Sequence, residues 1–67
     1  MFWLQFYGEG FDGKPSGSEQ LLRPFPSIKE AIKEGRALSR SMTFYFGKAV
    51  GYRIIDAHNK TVEEGLF

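Results

Sequence analysis

Residues 27–40 read SIKEAIKEGRALSR, and they decide the fold because no other stretch follows a helical pattern throughout. Ser27 and Glu30 form a capping box, in which the hydroxyl accepts from the Glu30 amide and the carboxylate reaches back to the Ser27 amide. Pro24 and Pro26 favour extended backbone in the residues just before the cap. The stretch therefore predicts a helix with a defined start.

This predicted helix has one apolar side. At about 100° per residue, six small or apolar residues fall on a single stripe wide enough to face a sheet. They are Ile28, Ala31, Ile32, Gly35, Leu38 and Met42. The helix is therefore expected to cover one face of a sheet.

The charged side of the helix is sorted by sign. Glu30 and Glu34 stack along one flank, and four basic residues follow a 4, 3, 4 spacing along the other: Lys29, Lys33, Arg36 and Arg40. We call these four residues the basic flank. Two interpretations stay open, a solvated surface balanced by acidic groups elsewhere, or a site that binds an anion or an anionic partner.

Four further segments, residues 1–7, 19–25, 49–56 and 60–66, are predicted to be strands. Asn59 tolerates left-handed backbone, so the last two are expected to form a hairpin. Residues 41–47 fit either a short strand or an apolar loop. The order β-β-α-β-β predicts an α+β fold: one domain, residues 1–67, with a three- or four-stranded antiparallel sheet and the helix on one face.

Composition excludes several classes of site. The chain has 67 residues, no cysteine, one histidine and a net charge of +1. Disulfides, thiolate metal sites and multi-histidine zinc sites are therefore excluded. The net charge is also too small to attract the whole protein to nucleic acid. We expect no cofactor, no metal and no membrane contact. The opening residues lack the features of a signal peptide, so a cytoplasmic location is expected.

The glycine-rich residues 8–18 match the letters of a dinucleotide fingerprint and nearly those of a P-loop. Neither match is supported by its context. Glu9 and Asp12 would repel phosphates, Pro15 occupies the position of the magnesium-binding hydroxyl, and no helix pattern follows directly. A flexible hairpin loop is predicted instead.

Catalysis has little support. His58 is expected at the tip of a hairpin. Such tips are exposed and mobile, so they do not hold a catalytic side chain in a fixed geometry. Asp56 lies two residues away, within reach as an acid–base partner, but a turn carboxylate that accepts from backbone amides explains it equally well. No catalytic residue is assigned, and a small enzyme or enzyme subunit is the least favoured alternative.

The first predicted strand is apolar on both sides. If Phe2, Leu4 and Phe6 meet the helix, Trp3 and Tyr7 are left on the opposite side of the sheet. An exposed apolar face of this kind usually marks an interface.

Three interpretations of that face stay open. Identical chains associate through it or through their sheet edges, with Trp3, Tyr7 and Tyr52 as interface residues. Alternatively, its aromatic rings stack on nucleic-acid bases while Arg53, Lys48 and Lys60 contact phosphates. Finally, residues 42–46 fold over the face and complete the core.

Two segments carry a resemblance to known proteins. FPSIKEAIKEGRALS at 25–39 and YRIIDAHNK at 52–60 resemble small bacterial domains of unassigned function, with a strand pair, a helix beginning SxxEA and a closing strand with an aspartate turn. The chain is also similar to the sheet-and-helix domain of HicB-type antitoxins. This resemblance implies an α+β fold and a protein partner, and it implies no catalytic residue. The glycine-rich segment departs from the antitoxin pattern.

We therefore expect a small non-enzymatic module that binds a partner, first a second copy of itself and then another macromolecule. Trp3 and Tyr7 would supply apolar contact, and the basic flank would supply charge. Nucleic-acid binding through the basic flank and the sheet aromatics is the alternative.

Overall fold

The structure, a computed structural model, describes residues 1–10 and 17–67. It contains β1 (Trp3–Gly8), β2 (Ser18–Gln20), α1 (Ile28–Ser41), β3 (Ala49–Ile55) and β4 (Thr61–Leu66). All pairs are antiparallel in a four-stranded sheet of order β2-β1-β3-β4. The predicted α+β fold is confirmed. Much of the predicted flexible loop, residues 11–16, lies outside the described residues.

Helix α1 begins and ends close to the predicted limits. The Ser27 hydroxyl accepts a hydrogen bond from the Glu30 amide at 3.1 Å, which caps the first turn. Among the described hydrogen bonds, the return contact from the Glu30 carboxylate to the Ser27 amide is absent. At the other end, the Met42 amide donates to the Leu38 carbonyl at 2.9 Å. One half of the predicted capping box is therefore sufficient to start the helix.

The core lies between α1 and the two central strands. Leu4 and Phe6 of β1 and Ile54 of β3 are fully buried there, and Ala31 of α1 is equally inaccessible. Gly35 allows the close approach of the helix, because an added Cβ would lie 3.0 Å from Leu4 Cδ2. The predicted apolar stripe of the helix is confirmed as the core-facing side.

The second strand is shorter than the predicted 19–25, since β2 ends at Gln20. The Leu21 amide still donates to the Leu4 carbonyl at 2.9 Å, and the next backbone pairing is an isolated bridge before β1, where the Phe25 amide donates to the Phe2 carbonyl at 2.7 Å. Between them Leu22 projects outward and is 92% exposed. Pro24 has no amide hydrogen to donate, which explains why a continuous ladder does not form through this segment.

The residues between α1 and β3 form a loop with a tight turn. Phe44 is 5% exposed, and its ring centroid lies 5.0 Å from that of Phe6. Gly47 closes the turn with a φ of 94° and donates to the Phe44 carbonyl. Because Phe6 faces α1, the loop extends the helix layer. It therefore does not close the opposite face of the sheet.

No helix within residues 1–10 and 17–67 combines the length and the apolar character that a membrane crossing requires.

Candidate functional site

The sheet face opposite α1, which we call the open face, is organised in three rows of paired side chains. Directly paired residues of antiparallel strands project to the same side, so the register defines each row. The first row is Ser18, Tyr7, Gly51 and Leu66; the second is Gln20, Gln5, Arg53 and Glu64; the third is Trp3, Ile55 and Thr61. Among the described residues, no helix lies on this side of the sheet.

The middle row is polar. The side-chain amide of Gln5 donates to Gln20 Oε1 at 3.1 Å. Arg53 and Glu64 are exposed partners across β3 and β4, and they carry opposite charges. No salt bridge joins them: the described part of the chain has one, between Arg23 and Glu34 at 4.0 Å. Both charges therefore remain available to a partner.

The first row is flattened by Tyr7, whose ring lies across Gly51. A Cβ added to Gly51 would overlap this ring. The Tyr7 hydroxyl then donates to the Gly65 carbonyl on β4 at 3.4 Å, so the side chain spans two neighbouring strands. Beside it Leu66 is 74% exposed. This row therefore presents the partly exposed Tyr7 ring and the exposed Leu66 side chain to solvent, with the polar Ser18 at its end.

The third row is apolar except for the exposed Thr61. Trp3 is partly exposed, and its partner Ile55 is buried although it lies outside the core cluster under α1. Next to them Val62 is the extra residue of a β-bulge in β4 and is 39% exposed. The open face thus has apolar rows at both ends and charge in the middle.

Tyr52 does not lie with Trp3 and Tyr7. It pairs with Phe6 on the helix side of the sheet and is 7% exposed. Its ring centroid lies 5.2 Å from that of Phe67, and its hydroxyl lies over Gly65. Only two of the three predicted interface residues therefore share the open face, because a step of one residue along a strand reverses the side.

The basic flank lies on the helix layer, on the other side of the sheet from the open face. All four of its residues are exposed. Arg36 and Arg40 border a groove together with Lys48, which precedes β3, whereas Lys29 and Lys33 do not line it. The structure therefore divides the basic flank into two parts.

Asp56 organises the turn between β3 and β4. Its Oδ1 accepts from the backbone amides of His58 at 2.8 Å and Lys60 at 3.0 Å. The amide of Lys60 is the main cause of a lowered Asp56 pKa, assisted by the His58 amide and opposed by desolvation. Asn59 completes the turn with a φ of 62°. Of the two interpretations of Asp56, the turn carboxylate agrees with these contacts.

A metal centre finds no support in the described ranges, which contain no group of three or more histidine, aspartate or glutamate residues placed to hold an ion.

No protein-family model matches the chain, and neither curated proteins nor solved structures show a significant match to it. The resemblance to small bacterial domains and to HicB-type antitoxins therefore rests on the two quoted segments alone.

Sequence reasoning missed the pairing of Arg53 with Glu64 and the position of Lys48 beside the helix. Counting outward from the Asp56–Lys60 turn places Glu63 opposite Arg53, and the bulge at Val62 shifts the register by one residue. A bulge of this kind leaves no clear mark in the residue pattern.

Proposed function

We propose that this protein is a non-enzymatic interaction module whose open face packs against the open face of a second copy. The observation that carries the proposal is the row pattern of the face, with apolar rows around two unpaired opposite charges. Exposed apolar patches of this kind mark interfaces. A chain of this size buries only about 60% of its surface on folding, so a second layer adds needed apolar burial.

Association through the sheet edges is disfavoured. At one edge, two β4 strands paired around a two-fold axis would bring Glu63 of one copy opposite Glu64 of the other. The bulge at Val62 further disturbs that edge. At the other edge, β2 is three residues long, too short for a stable added strand. The open face is therefore the favoured surface.

Charge complementarity selects one arrangement of the two faces. A two-fold axis parallel to the strands and between β3 and β4 lays each β3 over the partner's β4. Arg53 then meets the partner's Glu64, and the same contact repeats by symmetry. Surrounding apolar rows remove water from both pairs, which strengthens their attraction. An axis perpendicular to the strands would instead oppose Arg53 to its own copy.

The test uses two single charge reversals and their mixture, followed by analytical ultracentrifugation. Arg53→Glu places two acidic residues on the middle row, and Glu64→Arg places two basic ones, so each variant alone should lose self-association. An equimolar mixture should recover it, because both contacts of the mixed dimer join opposite charges. Mixing the variants cannot restore an Arg53–Glu64 pair within one chain. Recovered self-association therefore shows that the two residues meet between copies.

Lys33→Glu is the matched control, since it reverses one charge on the exposed side of α1 and should leave self-association unchanged. Circular dichroism checks that each variant keeps the fold. A wild-type protein that stays monomeric at the highest soluble concentration would contradict the proposal. A mixture that associates no better than its components would contradict the stated arrangement.

Nucleic-acid binding, the alternative, has less support. The aromatic residues of the open face and the basic flank lie on different sides of the sheet. A single nucleic-acid strand therefore cannot contact both. In the paired rows of the open face, Arg53 is the single cation. Stacking platforms for single strands combine aromatic rings with a basic track on the same surface.

A further inference from the structure

A groove of about 740 Å³ lies where the last turns of α1 meet the start of β3. Arg36 and Arg40 line it from the helix, and Lys48 lines it from the segment before β3. Its described lining contains no aspartate or glutamate side chain. The groove therefore concentrates positive charge in a protein whose net charge is only +1.

The three cations have no acidic partner in the described part of the chain, where the one salt bridge joins Arg23 to Glu34. Arg40 is in the last turn of α1, where the helix dipole partly compensates its charge. Arg36 lies a turn earlier, and Lys48 is outside the helix, so this compensation is weak or absent for them. An anionic ligand would relieve the repulsion among these three side chains.

Apolar side chains form the floor between these cations. Phe44 packs against Phe6 below, and Phe67 contacts the same ring with centroids 5.9 Å apart while remaining 42% exposed. Met42 adds a flexible, partly exposed side chain. A ligand that contacts both the cations and the apolar floor of the groove carries negative charge and a bulky apolar group.

We propose that this basic groove binds a short acidic peptide segment of a partner protein, with one large apolar side chain on the Phe44–Phe67 floor. Carboxylates of the segment contact Arg36, Arg40 and Lys48 at the rim. The groove is only partly enclosed, so a small molecule would leave part of its surface in water, whereas a peptide continues beyond the groove.

A nucleic-acid strand fits this groove less well. Single strands are held by bases stacked on exposed ring faces and by a track of cations along the backbone. Here Phe67 is the one well-exposed ring of the lining, and the cations surround one apolar floor instead of following a track. The three cations of the groove lie on α1 and before β3, on the helix side of the sheet, and of the open-face rows only Leu66 also lines the groove.

The test is an NMR titration of the ¹⁵N-labelled protein with three probes. The first is a short, end-blocked peptide of aspartate and glutamate with one central phenylalanine; the second replaces that phenylalanine by serine; the third is a short oligothymidylate. Shift changes should concentrate around Arg36, Phe44 and Lys48. The phenylalanine peptide should bind at least about tenfold tighter than its serine counterpart, because it buries an aromatic ring.

Matched double charge reversals separate the groove from general electrostatics. Arg36→Glu with Lys48→Glu should weaken the phenylalanine peptide by about tenfold or more, since two rim charges are reversed. Lys29→Glu with Lys33→Glu changes the net charge of the protein by the same amount, at exposed residues outside the groove. This variant should weaken binding by less than about threefold. All four positions are exposed, so both variants are expected to fold.

Equal weakening in the two double variants would overturn the proposal. So would equal affinity of the two peptides, or no saturable binding of the phenylalanine peptide. Tighter binding of the oligothymidylate, with the same dependence on Arg36 and Lys48, would assign the groove to nucleic acid instead.

Discussion

Tyr7 and Gly51 show how one residue shapes the open face. Glycine in a strand costs about 0.5–1 kcal/mol relative to alanine, yet here it leaves the space that the Tyr7 ring occupies. The same device occurs on the other side of the sheet, where a Cβ on Gly65 would lie 2.8 Å from the Tyr52 hydroxyl. Two tyrosines thus cover two glycines on neighbouring strands, one on each face.

Gly51→Ala should destabilise the protein by about 1–3 kcal/mol, because the added methyl group forces the Tyr7 ring out of its position. In a Tyr7→Ala background the same change should cost almost nothing or stabilise slightly, since alanine then fills empty space. Urea denaturation of the four proteins in this double-mutant cycle measures both values. An equal cost in both backgrounds would show that the ring is not the cause.

At the scale of the element, the hairpin of β3 and β4 is closed by the Asp56 carboxylate. Two backbone amides donate to it, and they lower its pKa below the ordinary value of 3.8. A carboxylate with a lowered folded-state pKa contributes stability above its unfolded-state pKa. That contribution is lost as the pH falls through the folded-state value. The hairpin is therefore expected to weaken in acid.

Asp56→Asn should lower the urea midpoint at neutral pH, because the amide keeps the shape of the side chain and loses its charge. The difference from the wild type should shrink as the pH falls below about 3.8 and both side chains become neutral. Glu63→Gln, at an exposed position of β4, is the control and should show little difference at either pH. A pH-independent difference for Asp56→Asn would contradict the role given to the charge.

At the scale of the whole molecule, the sheet separates two surfaces of different character. The open face combines apolar rows with one cation and one carboxylate, whereas the helix side carries the basic groove and the exposed basic flank. A second copy on the open face would leave the three cations of each basic groove accessible, although Leu66 belongs to both surfaces. Self-association and peptide binding are therefore compatible in one assembly.

Trp3, the one tryptophan of the chain, lies on the open face and reports its state directly. Acrylamide quenching of its fluorescence should decrease as the protein concentration rises, because association shields the partly exposed ring. In Arg53→Glu the quenching should stay at the dilute, monomeric value across the same range. Quenching that is independent of concentration in the wild type would contradict burial of this face.

Much of the fold was predictable because its signals are local. The spacing of apolar residues and the cap at Ser27 placed α1 within one residue of its observed limits. Asn59 marked the hairpin through its tolerance of left-handed backbone. The length of β2 was predicted wrongly: the strand ends at Gln20 instead of Phe25, and Pro24 has no amide hydrogen to continue the ladder.

Less of the candidate site was predictable, because it depends on strand register. Trp3 and Tyr7 were placed together by alternation along one strand, which needs no knowledge of its neighbours. The side taken by Tyr52 and the pairing of Arg53 with Glu64 depend on how strands align, including the bulge at Val62. Lys48 reached the basic groove through a loop whose path the residue pattern does not specify.

The amino-acid sequence by itself thus determined the elements, their order and the charge pattern of the helix, because capping, periodicity and turn chemistry act over a few residues. Only the tertiary structure decided which side chains share a surface. Register and loop path are settled by packing between segments far apart in the chain. They left the open face without a covering helix among the described residues and brought Lys48 beside Arg36 and Arg40.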